Sequence, residues 1–103
     1  MIDLSDRTRQ LIDVFFSDKV KEEAAFFLQY ECAQNLPLGK MDTPEGIERI
    51  QFAVIKISNG DMDELGKAIS LAKTDWRDVL MWADFGNDVE AHNRWANRVL
   101  GRM

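Results

Sequence analysis

Residues that cap helix N-termini recur along this chain at short intervals, and they leave little room for anything but helices. Ser, Thr, Asp and Asn side chains accept hydrogen bonds from the free N–H groups of a helix's first turn. Asp3 with Asp6, or Ser5 itself, opens a first helix to about residue 16, and Ser17 or Asp18 opens a second to about residue 34. Thr43-Pro44-Glu45 joins a cap to a proline at the first helical position, where the missing N–H costs nothing. That third helix is expected to close at Asn59-Gly60, which suits the left-handed conformation favoured at a helix C-terminus. Asp61 and Glu64 have the spacing of a capping box for a fourth helix, to about residue 73. Thr74-Asp75 opens a fifth, closed by Gly86, and Asn87 with Glu90 repeats the box for a sixth, to about residue 100.

The stretch 50–57 is rich in β-branched residues and by itself resembles a strand. Ile47, Ile50, Val54 and Ile57 nevertheless recur at helical spacing, and no second strand of similar strength exists to pair with it. The expected fold is all-α: a compact bundle of about five to six short helices. With 103 residues, the chain forms one domain over 1–103. The segment 35–43, containing Leu36-Pro37-Leu38-Gly39-Lys40, is the one clear loop and separates an N-terminal helical pair from the rest.

A hydrophobic content of 46% is too high for a disordered chain. The single cysteine, Cys32, forms no intramolecular disulfide, so a secreted disulfide scaffold is not indicated. The N-terminus, Met1-Ile2-Asp3-Leu4-Ser5-Asp6-Arg7, has no apolar signal region. The longest apolar runs, 24–28 and 79–83, fall far short of the roughly 20 residues a membrane span needs. A cytoplasmic protein is expected. The net charge of −5 is unevenly distributed: residues 61–90 hold eight acids against three bases, whereas 91–103 hold three arginines and no acid. An acidic chain repels a phosphate backbone, which argues against nucleic-acid binding.

Several residues break the core-and-surface pattern. Phe52 falls among Glu48, Arg49 and Lys56 on the third helix, and so either packs under a neighbouring element or marks a contact site. On the fifth helix Trp76, Val79, Leu80 and Ala83 form one stripe while Met81, Trp82 and Phe85 lie around the other side. A helix apolar nearly all round is expected to be central; the alternative is a second face for a partner, since Trp, Phe and Met are enriched in interface cores. The second helix, with Phe26, Phe27, Leu28, Tyr30, Cys32 and Ala33, is similarly broad.

Arg94, Arg98 and Arg102 recur every fourth residue as a cationic ridge on the last helix. Cations there complement the helix dipole; alternatively they meet an acidic partner, including the 61–90 stretch of a second copy. Glu31 shares a stripe with Val20, Ala24 and Phe27, where desolvation would raise its pKa as in a general acid, unless it turns to water or a cation. His92, the only histidine, lies on the apolar side of the last helix beside Trp95 and reads as structural. One histidine and one cysteine do not make a zinc site, and Cys32 reads as a small hydrophobe. No phosphate-cradling, catalytic-triad, dinucleotide or calcium-loop motif is present, so neither metal nor cofactor is expected.

The residues Ser58-Asn59-Gly60-Asp61, Ala68-Ile69, Leu71-Ala72-Lys73 and Asp75-Trp76-Arg77-Asp78-Val79-Leu80 resemble a set of small uncharacterised bacterial proteins. The resemblance covers about a third of the chain and implies a bacterial origin without an activity.

The function expected from these features is a non-enzymatic protein-interaction module, in the manner of an inhibitor or immunity protein that captures a basic effector, or a self-associating domain. Phe52, Met81, Trp82, Phe85, Arg94, Arg98 and Arg102 are its candidate contact residues. The alternative is a small-molecule or catalytic pocket involving Glu31, His92 and Trp95.

Overall fold

The cap at Thr43 forms as its sequence suggests: the hydroxyl accepts from the Gly46 N–H at 3.0 Å, with Pro44 beginning the helix. The computed structural model, which describes residues 4–33, 36–39 and 42–101, contains α1 (Asp6–Phe15), α2 (Lys21–Glu31), α3 (Pro44–Ser58), α4 (Met62–Thr74), α5 (Trp76–Trp82) and α6 (Ala91–Val99). No strand occurs among the described residues, so 50–57 is helical. The chain is an all-α bundle.

The centre of this bundle is α3, not α5. It packs on α1, α4, α5 and α6, whereas α2 lies against α1 and α4. Ile50, Phe52, Ala53, Val54 and Ile55 are all inaccessible to solvent, and Leu11, Leu28, Leu65, Ala68, Val79 and Ala96, from every other helix, are buried in the same core. The expectation that α5 is central therefore fails. Only Val79 and Leu80 of this seven-residue helix are buried, and its opposite side faces water.

Local signals set most helix ends. Ser5 Oγ accepts from the Thr8 N–H, Asp61 from that of Glu64, and Asp75 from that of Arg77. Two expected caps are replaced. Residues 18–20 form a turn in which the Ser17 carbonyl accepts from Val20 and Lys21, so α2 starts at Lys21 with no side-chain cap. Ahead of α6 it is Asp88, not Asn87, whose carboxylate accepts from the Glu90 N–H at 2.9 Å. The helix α2 ends at Glu31; residue 34, and residues 35, 40 and 41 of the expected loop, lie outside the described residues. The described part of that loop is pinned by Leu36 and Leu38, both buried.

The end of α3 is a point of close approach. Asn59 is left-handed (φ 49°) and Gly60 follows at φ 87°. A Cβ on residue 60 would stand 2.3 Å from the Phe15 carbonyl oxygen at the end of α1. Only glycine fits this contact. Gly60→Ala is expected to destabilise the fold by about 2 kcal/mol or more, since the unfavourable φ and the backbone clash act together. Urea denaturation of the variant beside the wild type measures this, and a change below about 0.5 kcal/mol would contradict the close packing of α1 on the α3 exit.

Candidate functional site

Four of the singled-out residues come together, but in the interior. Phe52, Phe85, His92 and Trp95 are all less than a tenth exposed. The Phe52 ring lies 5.5 Å from the His92 ring and 6.2 Å from that of Trp95, and Phe85 lies 6.3 and 5.9 Å from the same two. Phe15 stacks on Trp95 from α1 at 5.8 Å. The cluster joins α1, α3, α6 and the turn after α5.

Phe52 and Phe85 are thus core residues and offer nothing to a partner. The polar positions beside Phe52 are polar because they bridge outward over it. Arg7 lies 5.2 Å above the Phe52 ring and bonds Glu48 at 2.6 Å; Lys56 lies 5.5 Å from the Phe85 ring centroid and donates to the Ala83 carbonyl.

The expected pocket involving Glu31, His92 and Trp95 does not assemble. Glu31, at the end of α2, bonds Lys73 of α4 at 2.6 Å with 44% of its side chain exposed, so the apolar enclosure that an acid role would need is absent. His92 and Trp95 sit on α6, which packs on α1 and α3 instead. Cys32 is fully enclosed, and burial pushes its thiol up to about 12, with Lys73 opposing only weakly; it stays protonated and unreactive. Among the described residues, no three His, Cys, Asp or Glu side chains are grouped to hold a metal ion, and no helix is long and apolar enough to cross a membrane.

The surface features lie elsewhere. Met81 and Trp82, adjacent on the outer side of α5, are 63% and 52% exposed. The exposed acids Asp75, Asp78 and Asp84 flank them in sequence. Beside them is a cleft of about 150 Å³ bordered by Arg49, Trp76, Arg77, Leu80, Met81 and the turn at Gly86-Asn87. Arg49 reaches it from α3, donating to the carbonyls of Gly86 at 2.9 Å and Asp88 at 3.4 Å. Burial lowers the Arg49 pKa, and the Asp88 charge partly restores it.

The cationic ridge is broken up. Arg94 forms an ion pair with Asp88 of its own chain, Arg98 is exposed, and Arg102 lies outside the described residues. The broad apolar α2 leaves an exposed aromatic pair that was not among the candidate contact residues, Phe26 and Tyr30, whose rings are 4.6 Å apart beside a shallow groove with Leu4, Arg9 and Gln29. Their spacing of four residues was the available signal. The Arg49–Arg77 cleft had none, since its two cations come from helices distant in sequence. No protein-family model matches the chain, and neither a curated protein nor a solved structure matches it.

His92 yields a pH dependence. Its Nδ1 is buried and makes no hydrogen bond. Burial lowers its pKa below the ordinary histidine range, Arg49 and Arg7 push the same way, and Glu48 and Glu90 oppose. The folded state therefore prefers neutral imidazole, and the unfolded state takes up its proton first as pH falls. Stability is expected to decline from about pH 7.5 to 5.5 in the wild type. In His92→Phe, this part of the decline is expected to vanish. Urea midpoints at both pH values for the two proteins test it; identical declines would show that His92 does not titrate against the fold.

Proposed function

We propose that this chain is a non-enzymatic protein-interaction module that docks a basic partner protein on the outer side of α5. The observation that carries the reading is the exposure of Met81 and Trp82 side by side on a helix already anchored through Val79 and Leu80. Scattered single apolar residues are ordinary on protein surfaces, but a tryptophan beside a methionine has the composition of an interface centre. The aspartates on either side favour a partner of opposite charge and speed its approach. An inhibitor or immunity protein that covers a cationic effector in a bacterial cytoplasm is the concrete form of this reading. Self-association through the arginine ridge is less favoured, because Arg94 already pairs with Asp88 within one chain.

The double variant Met81→Ala, Trp82→Ala is expected to remain folded, with stability within about 0.5 kcal/mol of wild type, because neither side chain is buried. A photo-cross-linking residue at position 81, expressed in the native host, is expected to capture a basic protein. The captured protein should bind the double variant at least tenfold more weakly, and wild type more weakly as salt rises. Capture of nothing beyond what a probe at exposed Val14 captures would overturn the reading. So would a dimer of this chain, seen by sedimentation, that the same double variant dissolves.

A further inference from the structure

The cleft between α5 and the turn at Gly86-Asn87 differs in charge from everything around it. Residues 61–90 carry an excess of five negative charges, yet none of the residues bordering the cleft is acidic and two are arginines. The two arginines are held by different means. Arg49 rises from the central helix and is steadied by the Gly86 and Asp88 carbonyls. Arg77 is exposed and lies 5.2 Å over the Trp76 ring, and among the described residues it has no ion pair. The remaining walls, Trp76, Leu80 and Met81, are apolar.

We infer that this cleft binds a carboxylate carried on a short apolar group. Guanidinium groups take carboxylates through paired hydrogen bonds, and they do so most strongly where water is scarce. Exposed Arg77 supplies those paired bonds, and Arg49, whose Nη2 is spent on the Gly86 and Asp88 carbonyls, adds its largely buried positive charge to the same cleft. The apolar walls suit an aliphatic or aromatic substituent next to the anion. A cavity of about 150 Å³ accommodates a group of that size and little more.

The surroundings also select the charge of the ligand. Asp88 lies near enough to act on the Arg49 charge, and repulsion from a carboxylate acts twice as strongly on a phosphate dianion as on a carboxylate. A monoanion is therefore preferred. Two sources present the same chemistry: a free small carboxylic acid, or the terminal carboxylate of a polypeptide ending in an apolar residue. This inference goes beyond the docking of a partner on Met81 and Trp82 and depends chiefly on different residues.

The test is a titration of the isotope-labelled full chain, following the indole N–H signal of Trp76 and the Nε–H signals of the arginines. N-acetylleucine is expected to shift the Trp76 and Arg77 signals saturably, with a Kd on the order of 1 mM. N-acetylleucinamide, which lacks the negative charge, is expected to leave them in place. Arg77→Gln is expected to weaken binding by about tenfold without unfolding the protein, since the side chain is exposed. Inorganic phosphate is expected to bind more weakly than N-acetylleucine.

A blocked peptide with a free C-terminal leucine separates the two sources. Retained or tighter binding assigns the carboxylate to a chain terminus, and lost binding assigns it to a free acid; both support the site. Equal binding of acid and amide, an Arg77→Gln variant that binds as wild type does, tighter binding of phosphate, or no saturation by about 10 mM would each overturn it. Trp82→Ala, which leaves every wall of the cleft in place, should weaken partner docking yet still take the acid, whereas Arg77→Gln should weaken acid binding. Failure of one proposal is therefore distinguishable from failure of the other.

Discussion

Three polar side chains of α3 reach out of the buried helix and hold the backbone of its neighbours. Gln51 donates to the Cys32 carbonyl at the end of α2, Arg49 to that of Gly86, and Lys56 to that of Ala83. A buried polar group without a partner is costly, and so is a buried carbonyl. Each contact gives a carbonyl a donor and ties a neighbouring segment to α3. The segment after α5 depends on it most. Residues 83–88 turn sharply, with Asp84 and Gly86 at positive φ, and three of their carbonyls are held by α3. Phe85 is carried into the core by that turn and completes the cluster with Phe52, His92 and Trp95.

Short-range signals in the sequence translated well. Thr43-Pro44, Asn59-Gly60, Asp61 and Asp75 specify helix ends through bonds spanning two to four residues, and all form. Asn87 lost to Asp88 because the latter serves two neighbours at once, the Glu90 N–H and the Arg94 guanidinium. What depended on distant partners was illegible. For Phe52 both packing and contact stayed open because its flanking charges were visible, while their partners Arg7 and the Ala83 carbonyl are 41 and 27 residues away from them. Glu31 meets a cation, the alternative its sequence left open, but that this cation is Lys73, 42 residues on, was not legible. The apolar breadth of α5 was legible, but it reflects an exposed Met81 and Trp82, not a central position.

The charge polarity evident in the sequence is partly neutralised in the fold. Arg94 of the basic segment is paired with Asp88 of the acidic one, and Arg49 contributes positive charge beside the same residue. What remains is a finer alternation on one side of the molecule: an apolar pair, aspartates near it, and a cleft lined by two arginines. A surface of that kind distinguishes partners by the arrangement of charge more than by its total.

Asp75 is both the last residue of one helix cap and the first of the next. Its N–H donates to the Leu71 carbonyl at the end of α4, and its carboxylate accepts from the Arg77 N–H at the start of α5. A joint one residue long has no slack to absorb a change in chain length. One residue inserted into α5 ahead of Val79 would turn the rest of the helix by about 100°. It would bring Met81 or Trp82 toward the core and carry Val79 or Leu80 toward water. At the passage from α4 to α5, the reading frame of the helix and the identity of the surface are thus the same inheritance.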